Sequence, residues 1–320
     1  MDFPISGWVN RVRPGQRELA RRLRAGLRSF DRTEQRLPGI RDRERRDVLI
    51  QQFLDSVHRV QFVAVLRTRR LSDLRADPNN EMFDPVRSAI VLQRRGNIEE
   101  AFWMVFLFVH FGRHARAHWR YAREIYGRQG AGPRWDWART SADPNGFREW
   151  LRAYQENLSR DNTPHGFGNH RKYESLDAHS PHGTGAVVES YIRWIGPPRT
   201  HQQIVEEALL QARGDPSTAF DLLYQSMKAV SRFGRTARFD YLAMVGKLGL
   251  ALIEPGSPYV AGSTGPLKGA ILLFGRRARP ANLDAWLVTL GERLEVGMQV
   301  IEDALCNWQK SPDRFQRFRG

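Results

Sequence analysis

The chain is a succession of amphipathic segments in which apolar residues recur every three or four positions. This spacing is typical of α-helices packed on a core, and no stretch shows the period of two expected of a half-buried strand. Residues 98–111 are apolar nearly all round, so we expect this segment to be a buried central helix. The pattern therefore predicts an all-α fold.

Local signals mark where several helices begin. Asp84, Asp143 and Asp215 are each followed by proline, and an N-cap aspartate with proline at the first helical position is a physical start signal. Thr200 with Gln203 has the pattern of a capping box. The predicted organisation is a single domain over 1–320, with a hairpin region at 217–275, a C-terminal helix at 282–308 and a loose basic tail at 309–320.

The central feature of the sequence is a tight turn between two helical patterns, at residues 231–236. Such a pair predicts a helix-hairpin-helix. Gly234 would let a phosphate approach the backbone, next to the N-terminus of the second helix. Arg232, Arg235 and Arg238 surround it in sequence, which suits a nucleic-acid backbone. The alternative is an ordinary helical hairpin with solvated arginines.

A long polar loop at residues 159–185 mixes aromatic and basic side chains. This mixture can stack on an extruded base and hold its phosphate. We assign phosphate contacts to Arg171 and Lys172, and a base pocket to Phe167, Asn169, His170 and Tyr173. The loop histidines, and the pair His114 and His118, fit no common metal spacing, so no metal site is expected.

The chain carries a formal net charge of +15 and a sequence pI near 10.7. An arginine-rich body of this charge favours a polyanionic partner, although a solvated basic surface is the simpler interpretation. Cys306 is the only cysteine, which excludes an intrachain disulfide. The start of the chain shows no signal peptide, and the longest apolar run, 101–109, is too short to span a membrane. We expect a soluble cytoplasmic protein with no membrane contact, and we predict no protein partner.

Four stretches carry a family resemblance: residues 166–174, 233–237, 235–242 and 265–270. Residues 233–237 resemble the hairpin of helix-hairpin-helix DNA glycosylases. The other three stretches make the match closer, and they resemble the α-glutamyl/putrescinyl thymine pyrophosphorylase clade 3 group. A more distant likeness is to the helical domain of hydroxymethyluracil DNA kinases. The resemblance covers most of residues 30–275. It implies a glycosylase-like helical fold acting on hypermodified bases of phage DNA, as in antiphage glycosylases that excise glucosylated hydroxymethylcytosine. Lys268, in the last stretch, is expected to contact DNA.

The sequence departs from the glycosylase pattern at two positions. Arg232 stands where the first hairpin glycine would be, and Thr236 stands where bifunctional enzymes carry the lysine that forms a Schiff base. The resemblance therefore implies an enzyme that excises a base with water and does not cut the strand through a lysine adduct.

Two carboxylates are candidates for the catalytic acid. Hydrolysis of an N-glycosidic bond develops positive charge on the sugar, which a nearby carboxylate can stabilise. Asp240 lies one turn beyond Thr236 and so on the same helical face, whereas Glu254 lies close to where the glycosylase family places its catalytic aspartate. Each has a structural alternative, as an ion-pair partner of Arg235 or as a turn residue before Pro255.

Three functions follow in order of preference. The first is a monofunctional DNA glycosylase acting on a modified base in duplex DNA, in phage defence and without a cofactor. The second is a transferase or pyrophosphorylase that builds a hypermodified thymine. The third is a DNA-binding module with no enzymatic activity.

Overall fold

The computed structural model describes residues 14–158 and 160–317. Over these residues it is helical, with fourteen α-helices and no strand, so the all-α prediction is confirmed. None of the described helices is long and apolar enough to cross a membrane. The helices are α1 (Pro14–Thr33), α2 (Arg43–Thr68), α3 (Pro85–Arg94), α4 (Ile98–Phe111), α5 (Arg120–Tyr126), α6 (Trp137–Ala142), α7 (Pro144–Leu158), α8 (Thr184–Ile195), α9 (His201–Gln211), α10 (Pro216–Ser226), α11 (Arg235–Leu248), α12 (Gly265–Phe274), α13 (Pro280–Leu294) and α14 (Met298–Trp308).

The helices form two compact units. Among the described residues, unit 1 contains those up to Phe62 and those from Pro255 to 317, and unit 2 contains Val63–Glu254. The boundary falls within α2, a feature that the sequence pattern did not indicate. The predicted hairpin region, 217–275, is shared between the units, because its first two helices belong to unit 2 and α12 belongs to unit 1.

Several helices begin where the sequence signals place them. Asp84 and Asp215 are N-cap residues that each accept a backbone N–H three residues on, and Asp143 accepts one in the same way. Thr200 and Gln203 form the full capping box. Each such cap is worth on the order of 1 kcal/mol, and these predictions are confirmed.

The core of unit 2 is built around α4, as its apolar sequence predicts. Trp103 stacks on Phe106 with ring centroids 4.9 Å apart, and Tyr191 of α8 stacks on Phe106 at 4.1 Å. All three side chains are buried. Aromatic packing of this kind adds roughly 0.5–1.5 kcal/mol per pair beyond the area buried, so α4 forms a rigid support for the elements around it.

The core of unit 1 packs α1 against α13 and α12 against α14. Gly269 allows the second approach, because a Cβ there would lie 2.4 Å from the carbonyl oxygen of Leu305. Leu23, Leu27 and Phe30 of α1 are fully buried in this core, which leaves the opposite side of α1 to solvent.

The C-terminal region differs from the predicted single helix over 282–308. It contains two helices, and α13 begins at Pro280 with Arg279 as its N-cap residue. The break occurs because Glu295 adopts a left-handed φ of 55° and Gly297 starts the next helix. The tail expected to be loose contacts α2 through the ion pair of Asp313 with Arg45 at 2.6 Å and through a hydrogen bond from Gln52 Nε2 to the Gln316 carbonyl at 3.1 Å.

Candidate functional site

The predicted hairpin consists of α10 and α11 joined by residues 227–234. The turn is fixed to the core, since Phe233 stacks on Phe106 with ring centroids 5.4 Å apart and the Ser231 N–H donates to Ser190 Oγ at 2.8 Å. Gly234 is exposed at its tip, where an added Cβ would meet no atom within 4 Å. The backbone at Gly234 is therefore open to close approach by a ligand.

The N-terminus of α11 has no capping side chain. Gly234 is its N-cap residue, and its first turn contains no acidic residue. The N–H groups of a first helical turn lack carbonyl partners within the helix and carry partial positive charge. Arg235 adds a full charge there, with its guanidinium carbon 4.8 Å from the centre of the Phe239 ring. This helix end is electrostatically suited to a phosphate.

Arg232 occupies the place of the missing hairpin glycine and adopts the left-handed backbone that glycine favours, with φ of 61°. Its guanidinium makes a bidentate pair with Glu174, with Nε to Oε2 at 3.0 Å and Nη2 to Oε1 at 3.2 Å. Nη2 also donates to the carbonyl of Tyr173 at 3.2 Å. Arg232 thus connects the hairpin turn to the polar loop.

Arg238, the third arginine of the predicted cluster, packs within the hairpin. Its Nη1 donates to the Tyr224 carbonyl at 2.9 Å, and its guanidinium carbon lies 4.2 Å from the centre of the Tyr224 ring. Tyr224 belongs to α10 and Arg238 to α11, so this contact holds the two hairpin helices together.

The polar loop is anchored on the C-terminal end of α4. The Gly168 N–H donates to the Phe111 carbonyl at 2.8 Å. A Cβ on Gly168 would lie 2.7 Å from the Arg113 nitrogen, so only glycine permits this approach. Arg171 Nε donates to the Val109 carbonyl at 2.7 Å.

Phe167 serves as an apolar anchor for the same loop. Its ring lies 5.7 Å from Phe111 and 5.2 Å from Tyr121. These contacts bring the loop between residues 167 and 174 to a defined position over the core of unit 2.

Asp240 and Arg171 meet at the junction of hairpin and loop. Arg171 Nη2 lies 3.6 Å from Asp240 Oδ2. Burial raises the pKa of the Asp240 carboxyl, and the charges of Arg171, His170, Arg235 and Lys247 lower it. The Asp240 side chain is nevertheless 41% exposed, so part of the carboxylate faces solvent while protein surrounds the rest. Such an environment suits a carboxylate that exchanges protons with a substrate.

The other predicted pocket residues differ in their accessibility. Tyr173 is 81% exposed, and Lys172 Nζ lies 5.0 Å from the centre of its ring. His170 is also exposed. The backbone of Asn169 begins a short 3₁₀ turn, while its side chain lies outside the part that the structure describes. Tyr173 therefore offers the broadest open aromatic face of the predicted base pocket.

Glu254 and Lys268 have other surroundings. Glu254 is exposed at the end of unit 2, and its N–H lies 3.4 Å from the Pro216 carbonyl at the start of α10. Lys268 is exposed on α12 of unit 1. The described contacts thus join Asp240, and not Glu254, to Arg171.

His110 is a residue of this region that the sequence pattern did not single out. Burial lowers its pKa to about 3, with a smaller effect from the charge of Arg171, so the imidazole is neutral. Its Nε2 lies 2.9 Å from Thr184 Oγ1, whose hydroxyl donates to the Ser175 carbonyl at 2.8 Å. Since that hydroxyl proton is engaged, Nε2 must be the protonated nitrogen. His110 therefore fixes the end of the polar loop to α4.

A second polar chain, buried except at Glu99, supports α11 beside the site. Glu99 Oε2 lies 2.6 Å from His201 Nδ1, His201 Nε2 lies 2.6 Å from the Tyr191 hydroxyl, and that hydroxyl lies 2.8 Å from the hydroxyl of Tyr241. The chain links α4, α9, α8 and α11. It holds the helix segment that carries Asp240 in one orientation.

Within the described ranges, no group of three or more His, Cys, Asp or Glu side chains could hold a metal ion. His114 and His118 instead exchange backbone hydrogen bonds, at 2.9 and 3.0 Å. The arrangement offers a carboxylate, several cations and an open aromatic face, which together suit chemistry on a polyanionic substrate with a planar group.

Comparison with protein families supports the resemblance seen in the sequence. A family model described as alpha-glutamyl/putrescinyl thymine pyrophosphorylase clade 3 matches residues 44–320. No curated protein and no solved structure matches the chain. The match includes the hairpin, the polar loop and the stretch around Lys268, and it spans most of the sequence. The chain belongs to the alpha-glutamyl/putrescinyl thymine pyrophosphorylase clade 3 family.

Proposed function

We propose that this protein is a monofunctional DNA glycosylase that excises a hypermodified base, such as glucosylated 5-hydroxymethylcytosine, from phage DNA in the cytoplasm. The observation that carries the proposal is the position of Asp240. A half-exposed carboxylate with a raised pKa lies beside Arg171, on the second hairpin helix. We also propose that the helical fold is that of the helix-hairpin-helix DNA glycosylases.

The described side chains have distinct roles in this reaction. The exposed backbone at Gly234 and the N-terminus of α11 receive a phosphate of the target strand, with Arg235 beside it. The base leaves the duplex, which costs a few kcal/mol, and stacking on Tyr173 offsets part of that cost. Lys172 Nζ lies over one face of the Tyr173 ring, 5.0 Å from its centre, so the base stacks on the other face of this exposed side chain.

Asp240 acts at the sugar. Its carboxylate takes a proton from water as the water oxygen bonds to C1′, the N-glycosidic bond breaks, and the bonding electrons leave with the base, which is then protonated. The product is an abasic site. Arg171 favours the ionised form of Asp240 against burial. Thr236 cannot form a Schiff base, so the strand stays intact until alkali is added.

A second candidate is displacement of pyrophosphate, which the family description favours. An amine would attack the carbon of the base that bears the pyrophosphate, forming a C–N bond while the C–O bond breaks and pyrophosphate leaves. Asp240 would accept the proton of the amine. The cations that act on Asp240, among them Arg171, Arg235 and Lys247, would stabilise the leaving group.

The test uses the purified protein with matched duplexes carrying plain cytosine, hydroxymethylcytosine or its glucosylated form. Alkali-labile breaks confined to a modified substrate are expected, with loss of turnover and retained binding in Asp240→Asn. Asp221→Asn, a carboxylate change on α10, is the matched control. Glu254→Gln should stay active, and its loss of activity would move the catalytic role to Glu254.

Two results would contradict excision. Release of pyrophosphate from a pyrophosphorylated substrate in the presence of an amine, without alkali-labile breaks, would favour the second candidate. Tight, salt-dependent DNA binding with no turnover on any of these substrates would indicate a binding module.

A further inference from the structure

One face of α1 carries arginines along its length. Arg17, Arg21, Arg24, Arg28 and Arg32 recur at intervals of three or four residues. At 3.6 residues per turn this spacing places them within roughly 80° of arc, over ~22 Å of helix. All but the half-buried Arg24 are exposed. We call these five residues the arginine face.

The arginine face continues onto the start of α2. Arg24 Nη2 donates to Asp47 Oδ1 at 2.6 Å. Burial lowers the pKa of the Arg24 guanidinium, Asp47 raises it, and the charges of Arg28, Arg46 and Arg43 lower it further. The charges of Arg28, Arg43 and Arg46 therefore act together on Arg24 at one place in unit 1, beside Asp47. Cations gathered in this way create a positive potential that attracts a polyanion.

The chemistry of the arginine face favours nucleic-acid phosphates. Its cations are all arginine, whose guanidinium binds phosphate in a bidentate manner. A length of ~22 Å spans about six base-pair steps of ~3.4 Å, measured along the axis of a DNA duplex. The described residues of α1 include no exposed large apolar side chain, which a helix lying in a membrane surface would need.

We propose that unit 1 binds the phosphate backbone of duplex DNA through the arginine face, without regard to base sequence or modification. All residues of this surface belong to unit 1, whereas Asp240 belongs to unit 2. It holds the protein on unmodified DNA, where the target base is absent.

The test compares two double variants of the full chain by their affinity for a short unmodified duplex, measured by fluorescence anisotropy over a range of KCl concentrations. In R21Q/R32Q two phosphate contacts are lost, so the slope of log K against log salt should fall by ~2, and binding at ~0.15 M salt should weaken roughly thirtyfold. The matched control is R22Q/R293Q. Both control arginines lie in unit 1 outside the arginine face. Each pairs with a glutamate, Glu295 or Glu34, as Arg21 pairs with Glu18 at 3.4 Å.

The control should keep the wild-type slope. An equal fall of the slope in both double variants would mean that only the net charge matters. An unchanged slope in R21Q/R32Q would mean that the arginine face binds no phosphate. Either result overturns the proposal. Binding to phosphatidylserine vesicles that depends on Arg21 and Arg32, without an effect on DNA, also overturns it. Circular dichroism melts verify folding. The measurement involves no turnover, so failure of the proposed reaction would not affect it.

Discussion

The buried carboxyl of Glu100 makes the stability of unit 2 depend on pH. Glu100 lies in the first turn of α4 and is 5% exposed. Burial raises its pKa to about 7, and the hydrogen bond from the Trp137 N–H opposes this only in part. The Trp137 N–H donates to Oε2 at 2.8 Å. At neutral pH and above, the folded protein must therefore hold a buried negative charge.

The sign and size of the effect follow from linkage. The folded state binds the Glu100 proton more tightly than the unfolded chain, whose glutamates titrate near 4.5. The stabilisation is fully present below about pH 4.5 and is lost as pH rises through about 7. The difference corresponds to about 3 kcal/mol at most. Glu100→Gln keeps an oxygen that can accept from the Trp137 N–H but cannot ionise, so it should stabilise the protein at pH ~8 by 2–3 kcal/mol and have little effect at pH ~4.5.

Urea unfolding followed by tryptophan fluorescence at the two pH values measures this difference. Glu206→Gln, an exposed glutamate on α9 of the same unit, is the matched control and should shift neither midpoint. The reasoning would be refuted if Glu100→Gln were less stable than wild type at pH ~8. It would also be refuted if the two proteins differed in free energy of unfolding by the same amount at both pH values.

Two further predictions concern the candidate site. Tyr173→Ala should weaken binding of DNA with an extruded base by about 1–3 kcal/mol, roughly five- to 150-fold, because the stacking ring is lost. Tyr173→Phe keeps the ring and should bind as wild type does. Equal affinities in titrations of the two variants would exclude stacking. Arg171→Gln removes a cation that lowers the pKa of Asp240. The acidic limb of the pH–rate profile should therefore move to higher pH, and an unmoved limb would mean that Asp240 is not the catalytic carboxylate.

The helices were predictable because their signals are local. A period of 3.6 residues, an Asp-Pro pair such as Asp215 with Pro216, or a capping box at Thr200 acts over a few residues, and neighbouring structure rarely overrides it. The buried central helix also followed from composition alone. The sequence pattern did not predict the break at Glu295, because both flanking segments keep a helical pattern. The backbone angles alone show where the first helix ends.

The site was predictable only in its parts. Asp240, Arg171 and Tyr173 were each recognised as candidates, but the pairing of Asp240 with Arg171 across 69 positions has no local signal. The burial that raises the pKa of Asp240 depends on packing between elements distant in sequence. For the same reason Glu254, the candidate that the glycosylase resemblance favours by position, could be separated from Arg171 only in three dimensions.

Arg232 shows most clearly how the hairpin and the loop work as one structure. A left-handed conformation costs a non-glycine residue roughly 1–2 kcal/mol, which glycine would avoid. Glycine, however, could not reach Glu174, whose paired carboxylate is only 11% exposed. The charge of Glu174 also raises the pKa of the Arg171 guanidinium. Positive and negative side chains therefore alternate from Arg232 through Glu174 and Arg171 to Asp240. Because the outer members belong to the hairpin and the inner two to the loop, Tyr173 and Asp240 are held in one frame. Arg232 in place of the first hairpin glycine therefore strains the backbone of the turn, and in return its side chain fixes the distance between the Tyr173 ring and the Asp240 carboxylate.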